Sequence, residues 1–172
     1  MLSDHLVLAG GGHTHSLVLL RWAMNSKLKP AGMITLVNQS STTIYSGMFP
    51  GVVAGKYKIG EIIIDLRNLA SKAGVSFVKA EIEGIDLKKR KLLLAGRPEI
   101  EYSSLSLNIG TKTNLNSNFL MRTSKNLAVP IKPFSDSLKF IIDQDIYKDD
   151  PSVKPFVIIG AGFAGIEIAF SL

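Results

Sequence analysis

Leu6-Val7-Leu8-Ala9-Gly10-Gly11-Gly12-His13-Thr14-His15, near the start of a 172-residue chain, is a short apolar run that halts at three glycines. Four consecutive apolar residues suit a parallel strand buried on both faces. Ser16 to Met24 then reads as a helix, Pro30-Ala31-Gly32 punctuates, and Ile34-Thr35-Leu36-Val37 reads as a second, β-branched strand. Strand, glycine turn, helix and strand within about 30 residues is the size of one βαβ crossover unit. A glycine turn at the mouth of a helix is a place where backbone N–H groups and the helix dipole can hold a phosphate.

Outward from this unit, Asp65 caps a helix whose Leu66, Leu69, Ala70 and Ala73 share one face, with Gly74 stopping it. Val75 to Ala80 reads as a third parallel strand. The texture then changes to antiparallel strands at Glu81–Ile85, Lys91–Ala95 and Glu99–Tyr102, before Leu105 to Ile109 returns to the sheet and stops at Gly110-Thr111. Lys112 to Ala128, rich in Asn, Ser, Thr and Lys, reads as a long surface connection. A helix follows, capped by Ser135 or Asp136, with Leu138, Ile141, Ile142 and Ile146 at helical spacing and Asp149-Asp150-Pro151 closing it. Phe156-Val157-Ile158-Ile159 reads as another buried strand, leading into a second glycine turn and helix. The expected architecture is a three-layer α/β sandwich, with a central parallel sheet and an antiparallel β-meander inserted near Glu81 to Tyr102. Residues 1–128 form the first domain, 129–152 a connecting segment with a helix, and 153–172 the start of a second domain. The expectation is that the chain is cut off inside that second domain, leaving Val157, Ile158, Ile159 and Phe170 to pack on the first domain or on a neighbouring chain.

The second turn, Gly160-Ala161-Gly162-Phe163-Ala164-Gly165, is a complete GxGxxG. Its first glycine permits a tight turn, its second lets the backbone approach a pyrophosphate, and its third lets helix and strand pack closely. The bland alternative is a glycine-rich turn between packed elements. The first turn is less regular: Gly10 and Gly12 take the first two places, but His15 stands at the third. A bulky residue there should hold helix and strand apart, or turn its side chain outward. The acidic residue that normally meets ribose hydroxyls is replaced by Asn38, which hydrogen-bonds without charge.

Two such turns flanking an antiparallel excursion resemble the pyridine nucleotide-disulfide oxidoreductase superfamily, a Rossmann-like fold that binds FAD at the first turn and NAD(P)H at the second. Within it the chain is most similar to the type II NADH dehydrogenase and sulfide:quinone oxidoreductase branch. The segments Gly10-Gly11-Gly12-His13-Thr14-His15 and Tyr45-Ser46-Gly47-Met48-Phe49-Pro50-Gly51 resemble the GGGHxH and YSGMxPG segments of flavoproteins fused ahead of selenide, water dikinase (selenophosphate synthetase). The resemblance implies that Gly10 and Gly12 face the FAD pyrophosphate and Asn38 the adenosine ribose. It puts the adenine against the backbone of Lys79-Ala80-Glu81, and Ser46 and Gly47 in the glycine- and proline-punctuated loop Tyr45–Gly51, which approaches the flavin ring. Tyr102 to Thr111 resembles the family's YDxLxxATG segment, with Gly110 and Thr111 close to FAD, although Asn108 stands at the alanine position. Gly160, Gly162 and Gly165 would take the NAD(P)H pyrophosphate, with Glu167 towards the nicotinamide.

The resemblance further implies an oxidoreductase that in full length passes hydride from NAD(P)H to FAD and electrons to a quinone or similar small acceptor, with residues 1–172 expected to be inactive by themselves. It leaves room for a fused selenophosphate synthetase, peripheral membrane contact and a homodimer. A chain with no cysteine has no redox dithiol and no thiolate metal site. His13 and His15 are candidates to line the phosphate region or to be plain structural histidines; two residues apart at a turn-to-helix junction they diverge, so no metal site is expected. The net charge of +6 invites a nucleic-acid reading, but the dense run Lys88-Lys89-Arg90-Lys91 reads as a solvated hairpin tip without interleaved aromatics, so no nucleic-acid partner is expected. No stretch reaches the ~18 apolar residues of a membrane span and the amino terminus lacks a secretory pattern, so the expected location is cytoplasmic. Catalytic residues are not legible. A second class of function stays open: a degenerate nucleotide fold serving as a docking module, which Asn38 and His15 favour.

Overall fold

A computed structural model describes residues 4–111, 129–143 and 157–172. They divide into two compact units, one within residues 1–43 and 63–110, the other within 44–62 and 111–172.

In the first unit, β1 (His5–Ala9) leads through the glycine turn into α1 (His13–Met24), followed by β2 (Met33–Asn38). The chain leaves and re-enters this unit through the short pair β3 (Thr42–Ile44) and β4 (Ile63–Asp65). Then come α3 (Leu66–Lys72), after α2 (Phe49–Val53) of the other unit, and β5 (Ser76–Lys79). The meander is β6 (Ile82–Asp86), β7 (Lys91–Leu94) and β8 (Arg97–Glu101), and β9 (Ser104–Leu107) returns to the main sheet. The main sheet has the order β5-β2-β1-β9, all parallel, with Leu8 opposite Leu36 and Ser106, and Asn38 opposite Lys79.

Side chains alternate across a strand, and here both faces are covered. Leu8, Ile34 and Leu36 pack with Leu19 and Trp22 of α1 and with Leu66 and Ala70 of α3. Val7, Ala9 and Val37 pack on the other face with Leu92, Leu94 and Tyr102 of the meander. Helices, parallel sheet and antiparallel sheet are therefore the three layers the sequence predicts. Leu19, Leu36, Leu66 and Leu92 are wholly buried, each contributing about 1.5–3 kcal/mol by removal from water. The basic run sits at the β6–β7 hairpin: Lys89 faces Asp86 at 4.0 Å and Lys91 pairs with Glu99 and Glu101. The bond from Glu99 holds the Lys91 ammonium above its ordinary value.

The second unit contains α2 (Phe49–Val53), α4 (Phe134–Asp143) and α5 (Phe163–Ala169). Phe49, Val52, Val53 and Ile62 share a core with Leu138, Ile141 and Ile168.

Four local expectations are corrected. Helix α1 begins at His13 rather than Ser16, because the glycine turn itself supplies the first helical residues. Tyr45–Gly51, expected as a loop, is mostly helical: Ser46–Met48 forms a 3-10 turn that runs into α2, where Pro50 suits the first turn of a helix. Helix α4 begins at Phe134, ahead of both expected caps, and the Ser137 hydroxyl instead donates to the carbonyls of Pro130 (2.8 Å) and Ile131 (2.6 Å). The expected strand at Phe156–Ile159 does not form over its described part. Val157 to Ala161 has no regular structure, and Val157 and Ile159 are 83% and 70% exposed, since no described strand pairs with them. Phe156, Ile146, Asp149-Asp150-Pro151 and the Lys112–Ala128 connection lie outside the described residues.

Candidate functional site

The carboxyl edge of a parallel sheet is where ligands of this architecture gather, because strand ends and helix amino termini converge there. In the first unit that edge is formed by the glycine turn after β1, Asn38 at the end of β2, Ala80 beyond β5 and Asn108 beyond β9. Gly10 has φ +93°, a left-handed conformation costly for any side chain. Its N–H donates to the Val37 carbonyl at 2.8 Å, which closes the turn against β2. Gly12 is extended (φ −69°, ψ 179°) and caps α1 without a side chain.

The turn's other amides are claimed by its neighbours. Asn38 Oδ1 accepts from Gly11 N–H at 2.8 Å while Asn38 Nδ2 donates to the Ser40 carbonyl at 2.8 Å. The Asn108 carbonyl accepts from Gly12 N–H at 3.1 Å, and its Oδ1 accepts from His15 N–H at 3.3 Å. A Cβ on Gly12 would overlap both Asn108 oxygens, and one on Gly11 would overlap Leu66 Cδ1. The glycines therefore admit β9 and α3 as close neighbours, a demand beyond approach to a ligand. His13 and Thr14, the first exposed residues of α1, face solvent, and no acidic residue stands in this first turn. An anion held by the helix would meet the backbone there, with the dipole in its favour. Ala80 N–H donates to the Asn38 carbonyl at 3.0 Å, so Lys79-Ala80-Glu81 adjoins the end of β2. Gly110 has φ +76° and open space around it.

His15 turns neither outward nor idle. It is 2% exposed, with Nδ1 at 2.6 Å from the Gly10 carbonyl and Nε2 at 2.9 Å from Ser106 Oγ. A carbonyl only accepts, so Nδ1 carries the proton and Nε2 accepts from the Ser106 hydroxyl. Burial pushes this imidazole below the ordinary histidine value, against the smaller opposing effect of the Gly10 bond. With both nitrogens engaged, His15 has no lone pair to offer a metal, and no three ligating side chains come together among the described residues.

In the second unit the turn repeats this backbone with different chemistry. Gly160 has φ +112°, and Gly162 (φ −75°, ψ 167°) caps α5. A Cβ on Gly162 would meet nothing within 4 Å, whereas one on Gly165 would overlap the Gly160 carbonyl. Glu167 is exposed on α5, and Ser46 and Gly47 are exposed in the 3-10 turn before α2. Thr111 is exposed as well.

Ser106 and Asn108 are the contributors that motif reading missed. Their signal lies in Ser104-Leu105-Ser106-Leu107-Asn108, where polar residues alternate into a face expected to be apolar. A hollow of about 350 Å³ lined by His5, Met33, Glu99, Tyr102 and Ser103 lies at the opposite, amino edge of the sheet, away from the glycine turn. No described helix is long and apolar enough to cross a membrane.

No protein-family model and no curated protein matches the sequence. Solved structures match in fold. The sulfide:quinone oxidoreductase of the hyperthermophilic bacterium Aquifex aeolicus superposes with a TM-score of 0.64 and 21% identity, over 84% of this chain and 32% of that one. The ferredoxin reductase of the CYP199A2 system from Rhodopseudomonas palustris gives 0.68 and 25%, over 96% and 39%. Reduced CoADR-RHD of Bacillus anthracis gives 0.75 and 18%, over 99% and 31%. The chain thus spans about a third of the length of the structures it matches. The fold is the Rossmann-like α/β architecture that these three oxidoreductase structures share.

Proposed function

We propose that this chain is the amino-terminal part of an FAD-dependent NAD(P)H oxidoreductase, with FAD at the first turn and NAD(P)H at the second. The observation that carries this reading is the duplicated turn. In each unit a left-handed first glycine and an extended second glycine open a helix, at Gly10 and Gly12 and again at Gly160 and Gly162. Dinucleotide pyrophosphates need that geometry, because they bind to backbone amides at close approach. When bound, the flavin and nicotinamide supply the hydride chemistry. The chain's own part is to hold the FAD phosphates at the start of α1 and to present the ribose end to Asn38 and the adenine to the backbone at Ala80; the family resemblance would add Gly110, Thr111, Ser46 and Gly47 near the flavin. Gly160, Gly162 and Gly165 would hold the NAD(P)H pyrophosphate, with Glu167 towards the nicotinamide.

The likeness to a sulfide:quinone oxidoreductase supports a quinone or similar acceptor. The GGGHxH and YSGMxPG segments support kinship with flavoproteins fused ahead of selenide, water dikinase. One observation favours a second reading, a non-catalytic docking module: Asn38 and Asn108 satisfy amides of the first turn without any ligand. Flavin retention separates the two. Purified chain titrated into FAD should quench flavin fluorescence to a saturating one-to-one end point, and NADH should compete with ADP-ribose for the second turn. No quenching at any concentration would leave the docking module standing. Retention is the readout for these residues rather than turnover. They match only about a third of an intact reductase, and most rate enhancement in such reactions comes from positioning both cofactors.

A further inference from the structure

We propose that His15 is a positioning residue whose neutral imidazole locks the first glycine turn, and that protonating it unlocks the turn and loosens the dinucleotide held there. The second half rests on the reading of this turn as an FAD site.

The second turn explains why the position matters. There the third glycine is required, since a Cβ on Gly165 would overlap the Gly160 carbonyl. His15 occupies the same place in the first turn and converts that collision into a 2.6 Å hydrogen bond with the Gly10 carbonyl. Its other nitrogen reaches Ser106 on β9 at 2.9 Å. One ring thereby ties the end of β1, the first turn of α1 and strand β9. Asn108, just beyond β9, accepts from the same residue's N–H.

In the neutral Nδ1–H tautomer the ring donates to the Gly10 carbonyl and accepts from the Ser106 hydroxyl, while the backbone N–H bond to Asn108 is independent of the ring's proton. Protonation would place a hydrogen on Nε2, so the Ser106 hydroxyl would have to swing its own hydrogen away and accept instead of donating. It would also place a charge in a buried site. Among the described residues the groups facing the ring are the Gly10 carbonyl from the turn, Ser106 from β9 and the Asn108 carboxamide, none ionisable, and His13 on its own helix is exposed. No neighbouring charge contributes to the lowered proton affinity, which comes from burial. An imidazolium would attract phosphate if it could reach it. Both nitrogens are committed to protein partners, however, so reaching it means breaking the lock.

The sign follows from linkage. A folded-state value below the unfolded one makes the unfolded chain bind more protons, so the contribution to stability is complete above the ordinary value of 6.5 and is lost as pH falls beneath it. FAD affinity, measured by fluorescence quenching on the full chain, should weaken between pH 7.5 and 5.5, by up to about tenfold. His15→Gln, whose carboxamide donates without titrating, should remove that dependence, and so should His15→Gly, which restores the motif. Ser106→Ala should weaken binding already at pH 7.5. Two arms need no ligand. Nitrogen-15 imidazole shifts should report the Nδ1–H tautomer at pH 7.5, and urea unfolding should lose stability below pH 6.5 in wild type but not in His15→Gln. An equal pH slope in His15→Gln, or tighter FAD binding at pH 5.5, overturns the proposal. If wild type binds no FAD at pH 7.5, the FAD reading and the dinucleotide half fall together. The lock itself then stands or falls on the tautomer and the unfolding slope.

Discussion

Single residues in the two glycine turns do different work despite a shared backbone. At Gly12 a side chain strikes Asn108, so a Gly12→Val variant would lose flavin through distortion of the fold and would say little about phosphate contact. Gly162 is the cleaner probe, because its backbone is ordinary and its surroundings are open. Gly162→Val should alter unfolding free energy by no more than about 0.5 kcal/mol, while NADH binding, followed by nicotinamide fluorescence, disappears. Retained NADH affinity would remove this turn from the cofactor site. Asn38 carries the opposite expectation. It accepts from Gly11 and donates to Ser40, so Asn38→Ala leaves a buried N–H without its acceptor. The expected cost is about 1–3 kcal/mol in urea unfolding. No change would mean that water replaces the carboxamide.

Among the elements, α3 is the one whose packing reaches the site. Asp65 Oδ1 caps it by accepting from Asn68 N–H at 2.9 Å, and its first residue, Leu66, is fully buried with Cδ1 over Gly11. Deleting that side chain opens a void both in the helix-side core and beneath the turn. Leu66→Ala should cost about 2–5 kcal/mol and should weaken FAD binding as well, because Gly11 loses its support. A stability loss with unchanged FAD affinity would show that Asn38 and Asn108 hold the turn without help from α3.

For the whole molecule, the distribution of apolar surface is uneven. The first unit covers both faces of its sheet and leaves Met24 and Leu87 exposed at scattered places, whereas in the second Val157, Ile159, Phe163 and Phe170, all within residues 157–170, are between 70% and 91% exposed. Clustered exposed apolar groups favour association. Light scattering should therefore show a mass that rises with protein concentration, and the double variant Phe163→Ser with Phe170→Ser should abolish the rise. A concentration-independent monomer in both would show that this surface tolerates water.

The parallel sheet, the meander, both turns and the three layers were legible in the sequence, because they follow from local rules: apolar runs of strand length, helical spacing, and glycines at strand ends. Leu6–Ala9, Ile34–Val37 and Val75–Ala80 carry the composition of buried strands, and the pairing of β1 with β2 and of β2 with β5 puts them in one sheet. Tertiary structure decided what each position contacts. His15 reads as a defect in a glycine motif until Ser106 and the Gly10 carbonyl arrive from elsewhere, and Asn108 reads as a departure until it lies across the start of α1. The Phe156–Ile159 run shows the same dependence in reverse. Its composition is that of a strand, yet a strand exists only where another offers hydrogen bonds, and that is a property of neighbours rather than of the segment.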